Sequence, residues 1–310
     1  MTTPVRLTVA QLAASGDHAA NREAVADAFV SAARVGADLL ALPEYASGYD
    51  ARGVGTEHAE PLDGPFVSAL RENAARYRIA VIAGTTIPAT GEAPPVPGQA
   101  ALTGQIPAIT GSLRALTGST RAVPRGTSGA GAGEGRVSNA VVAVDDTGAL
   151  VGVYRKVHLY DAFGTRESDR LEAGPADTPP LVVRVGDLRF GVVTCYDLRF
   201  PESARRVVDA GADVIVVPAA WVAGPLKDDH WRTLLRARAI ENTAVVVGVG
   251  MAGEGLVGRS LLAGPDGVVG LELDDAPQVA TVDLDPEPLA QVRAHNPSLA
   301  NRRYVVVPRP

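Results

Sequence analysis

Two similar α/β halves stacked as an α-β-β-α sandwich are the fold this 310-residue sequence predicts. Three observations point to it. Short runs rich in Val, Leu and Ile alternate with Ala/Arg/Glu-rich stretches whose apolar residues recur at helical spacing, the pattern of sheets covered by helices. The stretch Gly-Ala-Asp-Leu-Leu-Ala-Leu-Pro at 36–43 is echoed by Gly-Ala-Asp-Val-Ile-Val-Val-Pro at 211–218, each after a helix-like segment, as in an internal duplication. Apolar residues make up 46% of the chain, enough for both halves to bury one sheet face against the other and cover the second with helices.

The elements follow in order. Residues 5–11 alternate as a first strand. Residues 18–35 place Val25, Ala28, Phe29 and Ala32 on one helical face and stop at Gly36, a residue suited to a helix end. The next strand is expected over 39–43. Asp-Asp-Thr-Gly at 145–148 and Pro-Asp-Gly at 265–267 mark hairpins, the first pairing strands over 139–144 and 150–157. Residues 190–194 form an apolar strand with Cys195 at its end, and a helix is expected to start near Pro201. Residues 88–135 differ in composition, thick with Gly, Pro, Ser, Thr and Ala and without a periodic apolar face; they read as an insertion in a single domain spanning 1–310. Residues 304–307, Tyr-Val-Val-Val, form an apolar tail for which packing on a partner subunit is the expected cover.

Composition excludes several function classes. A net charge of -6 with Arg interspersed among Asp and Glu offers no basic stripe for nucleic acid. The apolar runs fall far short of the roughly 20 residues a membrane helix requires. One cysteine cannot form an internal disulfide, and the Met-Thr-Thr-Pro-Val-Arg start lacks the apolar run of a secretory signal, so a cytoplasmic location is expected.

Three residues at strand ends combine into a chemistry. Cys195 alone reads as a small buried hydrophobe, Lys156 alone as a strand-end lysine reaching solvent, and Glu44 alone as a turn residue. Glu44 follows the first repeat and stands in the place equivalent to the cysteine on the other half, whereas Ala219 follows the second repeat. A thiol with an ordinary pKa of about 8.5 needs a base to take its proton or a cation to favour the thiolate. Glu44 and Lys156 are one of each.

Leu-Pro-Glu-Tyr at 42–45, Tyr-Arg-Lys-Val-His-Leu-Tyr-Asp at 154–161 and Thr-Cys-Tyr-Asp-Leu-Arg-Phe-Pro-Glu at 194–202 resemble the nitrilase superfamily of carbon-nitrogen hydrolases, as do Trp-Val-Ala-Gly-Pro-Leu-Lys at 221–227, 236–243 and Asn-Pro-Ser-Leu at 296–299. The resemblance covers nearly the whole chain outside 88–135. It implies the four-layer sandwich, assembly as a homodimer or larger homo-oligomer, no metal and no cofactor, and a Glu-Lys-Cys triad falling on Glu44, Lys156 and Cys195. A second glutamate after the lysine falls on Glu167, with Glu172 as the substitute.

The implied reaction is hydrolysis of a small linear amide through a thioester on Cys195, with Lys156 and the Tyr196 backbone N–H holding the oxyanion. Members acting on ω-amides and on deaminated glutathione are the nearest in motif context. N-carbamoyl amino acid hydrolysis is the runner-up, nitrile hydrolysis is less favoured, and a catalytically silent scaffold on the same fold is the alternative of another class. Arg199 either binds a substrate carboxylate or, the favoured reading, braces the nucleophile loop against Asp197 or Glu202. Trp221 is expected at the pocket wall. His158 and His230 are read as packed or solvated rather than catalytic.

Overall fold

The structure, a computed structural model, describes residues 3–89 and 136–309. Of the insertion expected over 88–135, only Pro88 and Ala89 are among the described residues, so that expectation lies outside them.

The strands form two six-stranded sheets. In the first, β1 (Val5–Gln11), β2 (Leu39–Ala41), β3 (Ala80–Pro88), β4 (Val137–Val144) and β5 (Leu150–Arg155) lie side by side, and β14 (Gln278–Leu284) returns from the far end of the chain to pair with β1. In the second, β8 (Val182–Val185), β9 (Leu188–Val192), β10 (Val214–Ala219), β11 (Val245–Gly250), β12 (Leu261–Ala263) and β13 (Val269–Glu272) run in that spatial order. The pairing directions match strand for strand. β14-β1 is antiparallel, β1-β2 and β2-β3 are parallel, and β3-β4 and β4-β5 are antiparallel. Across β8 to β13 the same series of directions recurs.

That correspondence sets β2 against β10 and so bears out the duplication read from 36–43 and 211–218. It also corrects one expectation. Cys195 follows β9, the counterpart of β1, so cysteine and Glu44 do not occupy equivalent places in the two halves.

Alternation along the strands produces the layers. Val214 and Val216 of β10 join Leu7, Val9, Leu39, Ala41, Ile82 and Val141 of the first sheet in one core between the sheets. Their neighbours Ile215 and Val217 face the other way, onto α3 (Pro201–Asp209) and α4 (Lys227–Asn242) through Val207, Trp231 and Leu235. On the opposite outside, Leu40, Val81 and Val142 meet α1 (His18–Arg34) and α2 (Pro65–Tyr77) through Phe29, Phe66 and Leu70. Strands covered on both faces are apolar throughout rather than alternating, which is why β10 reads Val-Ile-Val-Val-Pro-Ala and is wholly buried.

Local signals account for the ends of these elements. The Asp17 carboxylate accepts hydrogen bonds from the Ala19 and Ala20 amides, capping α1, which buries the four apolar positions expected for it. The Asp145 carboxylate accepts from the Thr147 and Ala149 amides and closes the β4-β5 hairpin. Helix α5 (Pro286–His295) follows β14, and the tail beyond it leaves Tyr304, Val305 and Val307 exposed. Among the described residues no helix is long and apolar enough to cross a membrane.

Candidate active site

Glu44 lies just beyond β2, and its position is fixed by the neighbouring strand. The Pro43 carbonyl accepts from the Gly84 amide of β3, and the Ala46 amide donates to the Gly84 carbonyl. A Cβ at Gly84 would lie 2.4 Å from the Glu44 Cα and 2.6 Å from the Pro43 carbonyl oxygen, so β3 can pass beneath the glutamate only with glycine there. The next residue, Tyr45, has φ 54°, a left-handed conformation that bulky residues adopt at a cost.

Lys156 follows β5, held by its backbone amide donating to the Asn139 carbonyl of β4. Its ammonium donates to Glu44 Oε1 at 3.1 Å and to Glu167 Oε2 at 2.9 Å, and all of it is shielded from solvent. Glu167 is brought back by a small hairpin of β6 (Asp161–Ala162) and β7 (Thr165–Arg166), turned by Phe163 at φ 54° and Gly164 at φ 86°. The Tyr45 hydroxyl donates to Glu167 Oε1 and the Tyr160 amide to Oε2. Of the two candidate glutamates, Glu167 is thus the one beside Lys156; the Glu172 backbone amide instead joins the Val137 carbonyl.

Cys195 opens a 3-10 turn at the end of β9, with φ 45°. Thr194 and Asp197 close a reciprocal capping box around it, and the Thr194 hydroxyl donates to the Pro218 carbonyl. Asp197, fully buried, also accepts from the Tyr154 hydroxyl at 2.6 Å and from His158 Nδ1 at 2.7 Å. The turn of one sheet that bears Cys195 is thereby tied to the strand end of the other that bears Lys156. His158 stacks on Phe200, a packed histidine as expected.

Electrostatics set the resting protonation states. Burial pushes the Cys195 thiol well above its ordinary pKa, the adjoining Glu44 and Glu167 carboxylates add to the rise, and Lys156 only partly opposes it. The sulfur therefore rests as a protonated thiol. Burial works against the charge on Lys156, but Glu167 and Glu44 outweigh it and hold the ammonium well above the usual lysine range. Burial and the nearby carboxylates raise Tyr45 well above the usual tyrosine range, and Tyr49 to about 12.

Above these groups opens a cavity of about 510 Å³, lined by Glu44, Cys195, Tyr196, Arg199, Trp221 and Lys227 among others. A larger one of about 810 Å³ lies between β5, α3 and the tail at Val306–Arg309 and is lined by none of Glu44, Lys156 and Cys195. Arg199 corrects its favoured reading. Its guanidinium lies over the Trp221 ring at 4.8 Å and beside His230 at 3.4 Å, while Asp197 is engaged by Tyr154, His158 and Thr194. Trp221 is buried, its indole N–H donating to the Lys227 carbonyl.

Several residues of the cavity and its surround escaped the sequence reading. Asn139 donates to Glu44 Oε1 at 2.6 Å, and the Ala220 amide donates to Oε2 at 2.7 Å. Lys227 donates to the Tyr160 hydroxyl and lies 3.9 Å from the Phe163 ring centre. Two polar residues, Ser138 and Asn139, inside an otherwise apolar buried strand were the available signal for Asn139.

Comparison with known proteins agrees with this geometry. A family description, carbon-nitrogen hydrolase, matches residues 6–104 and 116–294. The deaminated glutathione amidase of Escherichia coli O157:H7 is 44% identical over 170 residues, 55% of this chain and 64% of that protein. A Mycobacterium tuberculosis protein, hydrolase MT0498, is 31% identical over 317 residues, 96% of this chain and 95% of its own length. Among solved structures, XC1258 of Xanthomonas campestris, described as a CN-hydrolase superfamily protein with an arsenic adduct in its active site, superposes with a TM-score of 0.75 at 26% identity, covering 98% of this chain and 99% of its own. The four-layer fold, the matched family description and the near full-length relative agree, and the chain belongs to the carbon-nitrogen hydrolase family, enzymes acting on carbon-nitrogen bonds other than peptide bonds.

Proposed function

We propose that this enzyme is an amidase that cleaves a small linear amide bearing an anionic group, through a thioester on Cys195. The observation that carries the reading is the meeting of three chain-distant residues: Glu44 and Cys195 line an open cavity side by side, and the buried Lys156 ammonium donates to Glu44. A protonated resting thiol calls for a base at the moment of attack, and the Glu44 carboxylate adjoins it. Sulfur attacks the amide carbon as its proton passes to Glu44. The developing oxyanion faces the Lys156 ammonium and the Tyr196 backbone N–H, which belongs to the first turn, where amides lack an intrahelical acceptor. Collapse breaks the carbon-nitrogen bond as the amide nitrogen takes the proton from Glu44 and leaves as ammonia. Water then gives a proton to the same carboxylate and attacks the thioester, releasing the acid and restoring the thiol. Glu167 holds Lys156 in place.

Substrate charge is read from Arg199 and Lys227. Both line the cavity, and each makes its close contacts with aromatic rings and neutral polar groups. Lys227 is buried and Arg199 half-buried, neither is paired with a carboxylate among the described residues, and a cation shielded from water in this way is costly unless an anion joins it. A carboxylate at the far end of the amide supplies one, and the relatives named deaminated glutathione amidase support that choice. The chain is read as one domain, and its exposed apolar tail supports self-association into a dimer or larger assembly. A free thiol nucleophile suits the reducing cytoplasm. Ammonia release measured with succinamate-like, glutaramate-like, carbamoyl amino acid and nitrile substrates tests the proposal. Turnover is expected with the carboxylate-bearing amides; activity confined to nitriles or carbamoyl compounds overturns it.

A further inference from the structure

The proposed mechanism leaves open which oxygen of Glu44 takes the thiol proton, and the hydrogen bonds around it decide the matter. A carboxylate offers about four acceptor positions, two on each oxygen. Oε1 accepts from Asn139 Nδ2 at 2.6 Å and from Lys156 Nζ at 3.1 Å, which fills it. Oε2 accepts from the Ala220 amide at 2.7 Å and keeps one position. Asn139 is 1% exposed and does two jobs at once, because its backbone carbonyl also receives the Lys156 amide. A carboxylate can only accept, so the amide must turn its NH2 toward Glu44, and the Asn139 Oδ1 is left buried with no partner among the described residues. A buried amide oxygen left unsatisfied costs stability that an apolar residue would avoid, and the short bond from the same side chain to Glu44 is what that cost secures.

We propose that Asn139 is a positioning residue that occupies Oε1 of Glu44 together with Lys156 and so leaves Oε2 as the working base. Resting on the thiol mechanism, the inference concerns a residue that touches neither sulfur nor substrate. Lys156, Glu167, Cys195, Tyr45 and Tyr49 are titratable groups that surround Glu44, with Tyr160 and Lys227 on the Cys195 side, and an Asn139 substitution alters none of these side chains chemically.

The chain has a single cysteine, so alkylation by iodoacetamide, followed by intact mass, reports on Cys195 alone. Its rate is measured across a pH series in the full-length protein and in Asn139→Ala, beside kcat and KM. Loss of a hydrogen bond to a charged acceptor is expected to move the low-pH limb of the alkylation profile upward by about one pH unit, and to lower kcat with KM little changed. Asn139→Asp, which keeps the shape but sets a second carboxyl against Glu44, is expected to move the limb further in the same direction; it also serves as the test if the alanine variant does not fold. An unmoved limb in folded variants, even with a lower melting temperature, overturns the inference. Cys195→Ala run alongside separates the two levels. Turnover surviving in it defeats the thiol mechanism, whereas an inactive Cys195→Ala with an unmoved limb defeats only the role of Asn139.

Discussion

Replacing Lys156 by methionine keeps the length of the side chain and removes the ammonium that stands 3.1 Å from Glu44 Oε1 and 2.9 Å from Glu167 Oε2. In the native protein this lysine is held above its ordinary pKa. Burial opposes its charge, and Glu167 and Glu44 more than compensate. A raised folded-state pKa means that the contribution to stability is fully present below the unfolded value of about 10.4 and is lost only as the pH rises through the folded value. From mildly acidic to mildly alkaline pH the native contribution is therefore constant. In the variant, the buried Glu44 carboxylate and the half-buried Glu167 carboxylate lose the counter-charge that stands between them. Breaking a buried pair in this way costs about 3 to 5 kcal/mol, because the uncompensated charge remains. Urea unfolding near neutrality measures it. The same substitution removes the proposed oxyanion donor, for which a loss of about 100- to 1,000-fold in kcat is expected. A variant within about 1 kcal/mol of the native protein at neutral pH, or within about 10-fold in kcat, refutes the placement of this charge.

Other perturbations read other parts of the site. Gly84→Ala, whose Cβ meets the Glu44 backbone, is expected to displace the base and lower kcat by about 100-fold, in line with misplacements of about 1 Å; ammonia release checks it, and unchanged turnover contradicts the close approach. Arg199→Leu is expected to raise KM for carboxylate-bearing amides by about 10- to 100-fold, the worth of a charge-assisted hydrogen bond, while leaving neutral amides alone; steady-state kinetics on matched pairs decides. Burial and then Arg199 lower the Lys227 pKa, so its charge is lost as the pH rises below the ordinary lysine range. KM for anionic amides should climb there, and a flat KM, or one that climbs equally in Lys227→Met, removes Lys227 from substrate binding. Val216→Ala, in the core between the sheets, is expected to destabilise by about 1 to 3 kcal/mol through the methyl groups and packing lost, measured by chemical denaturation with kcat per folded molecule retained.

Much of the fold was legible because local signals and tertiary packing agree. The repeat at 36–43 and 211–218 survives as β2 and β10, since a strand covered on both faces must be apolar throughout. Strand β14 was missed because its place beside β1 rests on pairing across most of the chain, which no local pattern announces. Glu44, Lys156 and Cys195 stood out as functional residue types at strand ends. The favoured reading of Arg199 missed because charge in a motif does not reveal direction; its guanidinium settles over the Trp221 face and beside His230, and among the described residues neither Asp197 nor Glu202 receives it. Asn139, Tyr45 and Lys227 stayed hidden because their roles depend on contacts from other segments.

The nucleophilic role of Cys195 depends on a covalent bond that can be weighed. Mixing the protein with excess of a carboxylate-bearing amide that it hydrolyses, quenching in acid within the first turnover and recording the intact mass measures it directly. The expected result is a gain equal to the acyl group, mapped to the peptide containing Cys195 and absent from Cys195→Ala. Turnover that proceeds in Cys195→Ala, or hydrolysis by the native protein with the acyl group found on another residue, contradicts the account.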